Sequence, residues 1–264
     1  MYVCQDGPQD ASTLLLIHGS ASSSRSWNPL VPLLAPSHHI IRLDLPGHGR
    51  SDEPADRDYK ISRQAHRVGS ALDRLGVERT IVVGHSSGGV VATALAEQRP
   101  ELVTALVLIN TGPSMEAFLL PESAVTGPSS WPPSDEQIRR FAKTGFGGKD
   151  QQVPQELVDD VRGMSHHAFI TTMQETSTYM EQQAIPDRLS VLDTPLHVMF
   201  GDQDRRWLPS SAHDYRTVPG AKIEFLSGLG HSPILEDPPR TADMLLAFTT
   251  AHATRAGRAG RSPH

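Results

Sequence analysis

The chain of 264 residues contains one cysteine, Cys4, so an intrachain disulfide is impossible and a cysteine-based metal site is unsupported. No apolar run approaches the roughly 18 residues a membrane helix needs. Basic residues are not in excess: 24 Lys and Arg face 30 Asp and Glu, a net charge of -6, which argues against nucleic acid or an anionic membrane as a general partner. The opening MYVCQDGPQD is polar and does not read as a signal peptide. A hydrophobic content of 38% with 20% charged residues describes an ordinary soluble globular protein. The default expectation is cytoplasmic, monomeric or weakly homodimeric, with a small molecule as its partner.

What is present is an alternation. Strand-like apolar runs occur at Thr13 to Ile17, His39 to Leu45, Thr80 to Val83, Ala105 to Asn110, Leu196 to Phe200 and Lys222 to Leu226. Helix-like stretches lie between or after them, at Ser62 to Leu75, Gly88 to Arg99, Ser210 to Thr217 and Pro239 to His252. This order predicts an α/β fold, a mostly parallel twisted sheet of about seven to eight strands flanked by helices. Continuous apolar runs suit strands buried on both faces. The alternation fails between Gly112 and Asp193, where helical patterns occur without a strand. There Ser134 and Gln137 form a capping box, Pro154 suits a helix start, and Phe169, Met173, Thr176 and Met180 share one helical face. Residues 114–190 are therefore read as a helical cap inserted in a core of residues 1–113 and 191–264. The tail from about residue 254, ending RAGRAGRSPH, is expected to be disordered.

The stretch TIVVGHSSGGV at 80–90 asks for a chemical reading. Gly84-His85-Ser86-Ser87-Gly88 matches the G-x-S-x-G turn, which exposes a serine hydroxyl between a strand and a helix. A plain turn would also use glycine and a capping serine, but a strand precedes this one and a helical VVATALAEQ follows. Ser86 is the candidate nucleophile. A serine hydroxyl needs a base in reach, a group orienting that base, and donors for the oxyanion. His231, in the loop after the last strand, is the candidate base. Of the 13 histidines, His38, His39, His166 and His167 read as surface or loop residues. The loop GDQDRR after the preceding strand offers Asp202 and Asp204 as orienting acid. After TLLLI, the loop opened by His18-Gly19 offers the amide of Ser20, or in the neighbouring register Ala21, as one oxyanion donor, and Ser87 supplies the second.

HGS at 18–20, DLPGHGRSDEP at 44–54, GHSSGG at 84–89, GDQD at 201–204 and GHSPILEDP at 230–238 together resemble the α/β-hydrolase family across nearly the whole chain. The resemblance implies an eight-stranded, mostly parallel sheet, a helical cap after the sixth strand, and a triad of Ser86, Asp204 and His231, which selects Asp204 over Asp202 and leaves Asp202 as a turn former. It lies nearest the esterase, perhydrolase and C–C hydrolase branches. So few residues precede TLLLI that the first strand, or the first two, is expected short or missing. With serine rather than aspartate at the elbow, epoxide hydrolase and dehalogenase chemistry is rejected. The implied activity is a cofactor-free, metal-free serine hydrolase that cleaves a small carboxylic ester or lactone through an acyl-enzyme. Alternatives are a C–C bond hydrolase or thioesterase with the same triad, and a ligand receptor without turnover. Met115, Met164, Met173 and Met180, with Phe118, Trp131, Phe141, Phe146 and Phe169, are read first as the insertion's own small core and alternatively as a pocket roof. No Arg or Lys can be placed in that pocket from sequence.

Overall fold

The computed structural model describes residues 1–119, 130–148 and 151–256. Among these, seven strands form one sheet: β1 (Val3–Asp6), β2 (Thr13–Ile17), β3 (His39–Leu43), β4 (Thr80–His85), β5 (Val103–Ile109), β6 (Leu196–Gly201) and β7 (Lys222–Leu226), in the order β1-β3-β2-β4-β5-β6-β7. Only β1 runs antiparallel, against β3; the remaining pairs are parallel. The N-terminal stretch thus supplies a four-residue edge strand. The reading of His38 and His39 as surface or loop residues is corrected in part. Both are buried: His39 opens β3 with its ring bonded to Gln5 at 3.0 Å, while His38 stays in the loop before β3 with its ring turned in against Ser37. The strand expected to reach Leu45 stops at Leu43; the Leu45 N–H donates instead to His18 Nε2 at 3.0 Å.

The helices are α1 (Val31–Leu34), α2 (Ile61–Arg74), α3 (Ser87–Gln98), α4 (Asp135–Lys143), α5 (Gln155–Gly163), α6 (His166–Gln182), α7 (Ile185–Leu189), α8 (Pro233–Glu236) and α9 (Pro238–Ala256). Successive strand residues point to opposite faces, and the core divides accordingly. Leu15, Ile17, Val82, Leu106 and Leu108 pack on one face with α2 and α3 residues such as Val68 and Leu95. Leu14, Leu16, Ile81, Val83 and Val107 pack on the other with Leu245 and Phe248 of α9. Burying both faces is what makes the central strands β2, β4, β5 and β6 largely apolar runs.

Helices α4 to α7 lie between β5 and β6. The Ser134–Gln137 capping box starts α4, with the Ser134 N–H donating to Gln137 Oε1 at 2.8 Å. Pro154 caps α5. A separate cluster holds Ile138, Phe146, Val158, Met164 and Phe169 together with Ala21 and Tyr59 from the core loops. Met180, Ile185 and Leu189 instead pack into the main core, so the end of α6 and all of α7 are anchored on α3's side of the sheet. Residues 254–256, expected in the tail, continue the backbone of α9. Residues 120–129 and 149–150 of the expected cap, and the tail beyond 256, lie outside the described residues.

Candidate active site

The turn after β4 carries Ser86 at φ 54°, ψ -126°. That left-handed geometry costs a non-glycine residue on the order of 1–3 kcal/mol. Three hydrogen bonds hold it: Ser86 N–H to Ile109 O, Gly89 N–H to Ser86 O, and Thr111 Oγ1 to Ser86 O, each 2.9 Å. At about 1 kcal/mol apiece, these are enough to offset the strain. Glycine is required beside it because a Cβ on Gly84 would fall 2.5 Å from Gly89 Cα, and one on Gly88 would fall 2.4 Å from the carbonyl oxygens of Ile17 and His18.

The ends of β6 and β7 bring two further side chains to this hydroxyl. His231 Nε2 lies 2.9 Å from Ser86 Oγ, and His231 Nδ1 lies 2.9 Å from Asp204 Oδ2. A carboxylate can only accept, so Nδ1 carries the proton and Nε2 is free to accept from the Ser86 hydroxyl. Asp204 Oδ2 also accepts from Asn110 Nδ2 at 2.8 Å, while Oδ1 accepts the amides of Arg206 and Trp207 at 2.7 and 3.2 Å. Burial pushes the Asp204 carboxyl up, but His231, Asn110 and the Arg206 amide together hold it below its ordinary value. Asp202 lies apart from this arrangement; its Oδ1 accepts the Gly228 N–H at 2.7 Å and ties two strand-end turns together.

The loop after β2 presses against the serine. A Cβ on Gly19 would sit 3.1 Å from Ser86 Cβ, a tight contact, and glycine lets the loop lie against the serine without it. Ser20 is exposed, Ala21 is buried, and both line the cavity above Ser86. Ser20 Oγ donates to Ser87 Oγ at 2.8 Å. The Ser87 amide opens α3, where the first-turn N–H groups have no acceptor within the helix.

Several neighbours had no role in the sequence reading. His85, the variable residue of the motif, is pushed down to about 3 by burial and by the nearby His231 ring, 5.2 Å away between centroids. Its Nε2 lies 2.7 Å from the His231 carbonyl, so it donates there and fixes that backbone. Asn110, with φ 47°, ends β5 and reaches both Asp204 and the Gly230 carbonyl. Glu236 accepts the amides of Gly230 and Ser232, on either side of His231, and of Gly147 from the segment between β5 and β6. Asp160 on α5 accepts from Ser23 Oγ at 2.8 Å and pairs with Arg25, joining that same segment to the loop after β2. Asn110 did leave a signal, as a polar residue ending an apolar run. Glu236 stood inside a quoted motif without an assignment.

Above Ser86 lies a cavity of about 520 Å³, the size range of small-molecule sites. Met115, Phe118, Phe141, Phe146, Phe169 and Met173 line it; Met164 and Trp131 lie in the smaller cluster and Met180 in the main core. The reading of these residues as a small core alone is therefore incomplete. Phe146 and Phe169 serve both ends. Arg206 also lines the cavity, a cation that no sequence signal placed there. Among the described residues, no group of three or more His, Cys, Asp or Glu side chains is positioned to hold a metal ion, and no helix is long and apolar enough to cross a membrane.

Comparison with known proteins places these features in context. The profile of the Alpha/beta hydrolase family matches residues 14–244. An uncharacterised protein of Mycobacterium bovis is 29% identical, across 89% of this chain and 74% of its own. The monoacylglycerol lipase abhd6-A of Xenopus laevis is 26% identical, across 95% of this chain and 79% of its own. Among solved structures, a membrane phospholipase A described as a bacterial virulence factor superposes with a TM-score of 0.79 at 25% identity, covering 94% of this chain and 82% of that one.

Proposed function

Since the chain belongs to the alpha/beta hydrolase family, we propose that it is a serine hydrolase that cleaves a carboxylic ester or lactone through an acyl-enzyme. The observation that carries this reading is the unbroken line Ser86 Oγ, His231 Nε2, His231 Nδ1, Asp204 Oδ2, with both links at 2.9 Å. In this mechanism His231 Nε2 takes the Ser86 proton as Oγ attacks the substrate carbonyl carbon. The tetrahedral oxyanion accepts from the amides of Ser87 and Ser20, with Ala21 the alternative to Ser20. Collapse breaks the ester C–O bond, and the alcohol leaves with the proton from His231. A water, deprotonated by the same nitrogen, then attacks the acyl carbon and frees Ser86 and the acid. Asp204 stays ionised and stabilises the imidazolium in both halves. These steps draw on no metal or organic cofactor.

The cap residues Met115, Phe118, Phe141, Phe146, Phe169 and Met173 form the roof of the site in this reading, and they favour an apolar body on the substrate. Ester chemistry is consistent with the relative named a monoacylglycerol lipase. The test is a fluorophosphonate probe with the adduct located by peptide mass spectrometry. Ser86 should be labelled, labelling should depend on His231, and Ser86→Ala should lower ester turnover on the order of 10⁴-fold or more. Absence of an adduct together with unchanged hydrolysis in Ser86→Ala would overturn the reading. Absence of both labelling and hydrolysis in the native protein would move the ligand-receptor alternative ahead.

A further inference from the structure

The wall of the cavity is mostly carbon, yet it includes a guanidinium. Arg206 follows Asp204 by two residues, and its main-chain N–H is committed to Asp204 Oδ1 at 2.7 Å. Its side chain lies over the ring of Phe141, 4.4 Å from guanidinium carbon to ring centroid. One terminal nitrogen, Nη2, donates to the Phe141 carbonyl at 3.3 Å. The Nε is buried and has no partner.

No carboxylate pairs with this guanidinium among the described residues. Asp204 is the acid that acts on it, but both Asp204 oxygens already accept from His231, Asn110 and two amides. Burial pushes the Arg206 guanidinium down to about 10, still far above neutrality, so it remains a cation. Arg206 is half-buried, and a partly desolvated charge without a carboxylate partner is costly, a cost that a face-on aromatic ring offsets only in part. Ser22 is the other residue lining this cavity with a buried unpartnered side-chain atom. A lone hydroxyl is far cheaper to leave unmade than a cation. The cavity wall carries a positive charge, and among the described residues that line it there is no carboxylate to match it.

We propose that Arg206 is a specificity-determining residue that pairs with a free carboxylate on the substrate, so the preferred esters or lactones are anionic. The proposal rests on the serine-hydrolase reading for its reaction, but not for its binding step. An incoming carboxylate would accept from the terminal guanidinium N–H groups that the Phe141 carbonyl does not use, and so neutralise the cation, a geometry for which arginine is better suited than lysine.

Two matched pairs of probes test it. Mono-p-nitrophenyl adipate against p-nitrophenyl hexanoate places the charge on the acyl half. 4-(Hexanoyloxy)benzoate against its methyl ester places it on the leaving half. In at least one pair the anionic probe should have the higher kcat/KM. Arg206→Met should then cut the anionic-to-neutral ratio roughly 10- to 100-fold, mainly through KM, the range for a charged hydrogen bond. Arg206→Lys, which keeps the charge, should restore part of the ratio and guards against a merely misfolded Met variant. The proposal fails if both anionic probes are poorer than their neutral partners by more than tenfold, or if Arg206→Met lowers all four equally. Should the native protein hydrolyse none of them, the ester-hydrolase reading fails by itself. Calorimetric binding of monomethyl adipate, against methyl hexanoate as control, then decides the question: binding weakened 10- to 100-fold in Arg206→Met supports it, and equal binding overturns it.

Discussion

Asp204 and Met173 both serve the space above Ser86, and they are held there in opposite ways. Asp204 receives four donors from side chains and main chain of the loops after β5, β6 and β7, so its position is fixed by direction as well as by contact. Met173, on α6, is half-buried and meets the cavity and its neighbours only through van der Waals contact. Hydrogen bonds demand angles and distances; dispersion contacts tolerate rearrangement. The strand ends therefore define where chemistry can occur, and the helices above define, more loosely, what fits. The two meet at few polar points, chiefly Asp160 with Ser23 and Arg25, and Glu236 with Gly147. Substitutions of the strand-end groups that hold Ser86, His231 and Asp204 in line should act on kcat, and substitutions in the roof, or of the Arg206 side chain that packs on Phe141, should act on KM.

The largest effect expected is at Asp204. Asp204→Asn keeps the volume but removes the charge that fixes the His231 tautomer. Turnover of p-nitrophenyl hexanoate should fall by about 10⁴-fold, as expected when the orienting acid of such a triad is lost. A loss below tenfold would mean that His231 is oriented by its carbonyl bond to His85 and not by the carboxylate.

Acid should attack the fold through buried histidines. Burial, with His18 nearby, pushes His48 down to about 3; burial and His231 do the same for His85; burial takes His197 to about 4, with Glu224 opposing. All three start from 6.5. Below 6.5 the unfolded chain takes up protons that the native state refuses, so stability is fully present above that pH and is lost as the pH falls toward 3 to 4. Each histidine adds a slope of about 1.4 kcal/mol per pH unit within its window. Urea midpoints measured from pH 7 to 4 should fall steadily, and His48→Asn should be less stable at pH 7 but show a shallower decline. A flat profile would mean these rings are solvated in the native state.

Asn110 offers a finer cut. Asn110→Leu removes one of the two donors to Asp204 Oδ2 and leaves the Gly201 amide and Gly230 carbonyl short of a partner. Lost buried hydrogen bonds to a charged group predict a kcat lower by about 10- to 100-fold and a stability loss of about 1–3 kcal/mol. Asn110→Asp, of equal size but acceptor-only, should be worse for kcat. If it matches the native enzyme, Asn110 supports the loop and does not act on the carboxylate.

How far the sequence reached follows the same division. Ser86, His231 and an aspartate of GDQD could be named because each sits in a short motif directly after a strand-like run, and a parallel sheet brings those strand ends to one edge; the family resemblance then separated Asp204 from Asp202. The structure places them within hydrogen-bond reach of one another. All six expected strands form, and for β2 to β6 the reason is related: burial on both faces writes a largely apolar signal. β1 escaped because VCQD is an edge strand, half solvated, with no such signal. His85, Asn110 and Arg206 escaped because their roles depend on which loop lies across from them, and that is a matter of sheet order. Asn110 acts on Asp204 only because β5 and β6 are neighbours. The roof was the least legible part, since a methionine on an amphipathic helix gives the same pattern whether it faces a core or a cavity.

Met173 is where that ambiguity can be resolved at the smallest scale. If it is packing for the roof's own cluster, Met173→Ala should lower thermal stability and leave substrate preference unchanged. If it is wall, the truncation should enlarge the chamber and remove contact from a bound acyl chain. About 0.8 kcal/mol per buried methylene, spread over the one or two groups in contact, predicts a KM for p-nitrophenyl hexanoate roughly 3- to 10-fold higher. Turnover at saturation should change by less than about threefold, because no atom of Met173 bonds the strand-end groups. A longer acyl chain, such as decanoate, should recover part of the loss by filling the vacated volume, a response that simple destabilisation cannot produce. A kcat that falls with KM unchanged would instead mean that the roof positions the reacting groups, and the division between the two regions would have to be redrawn at α6.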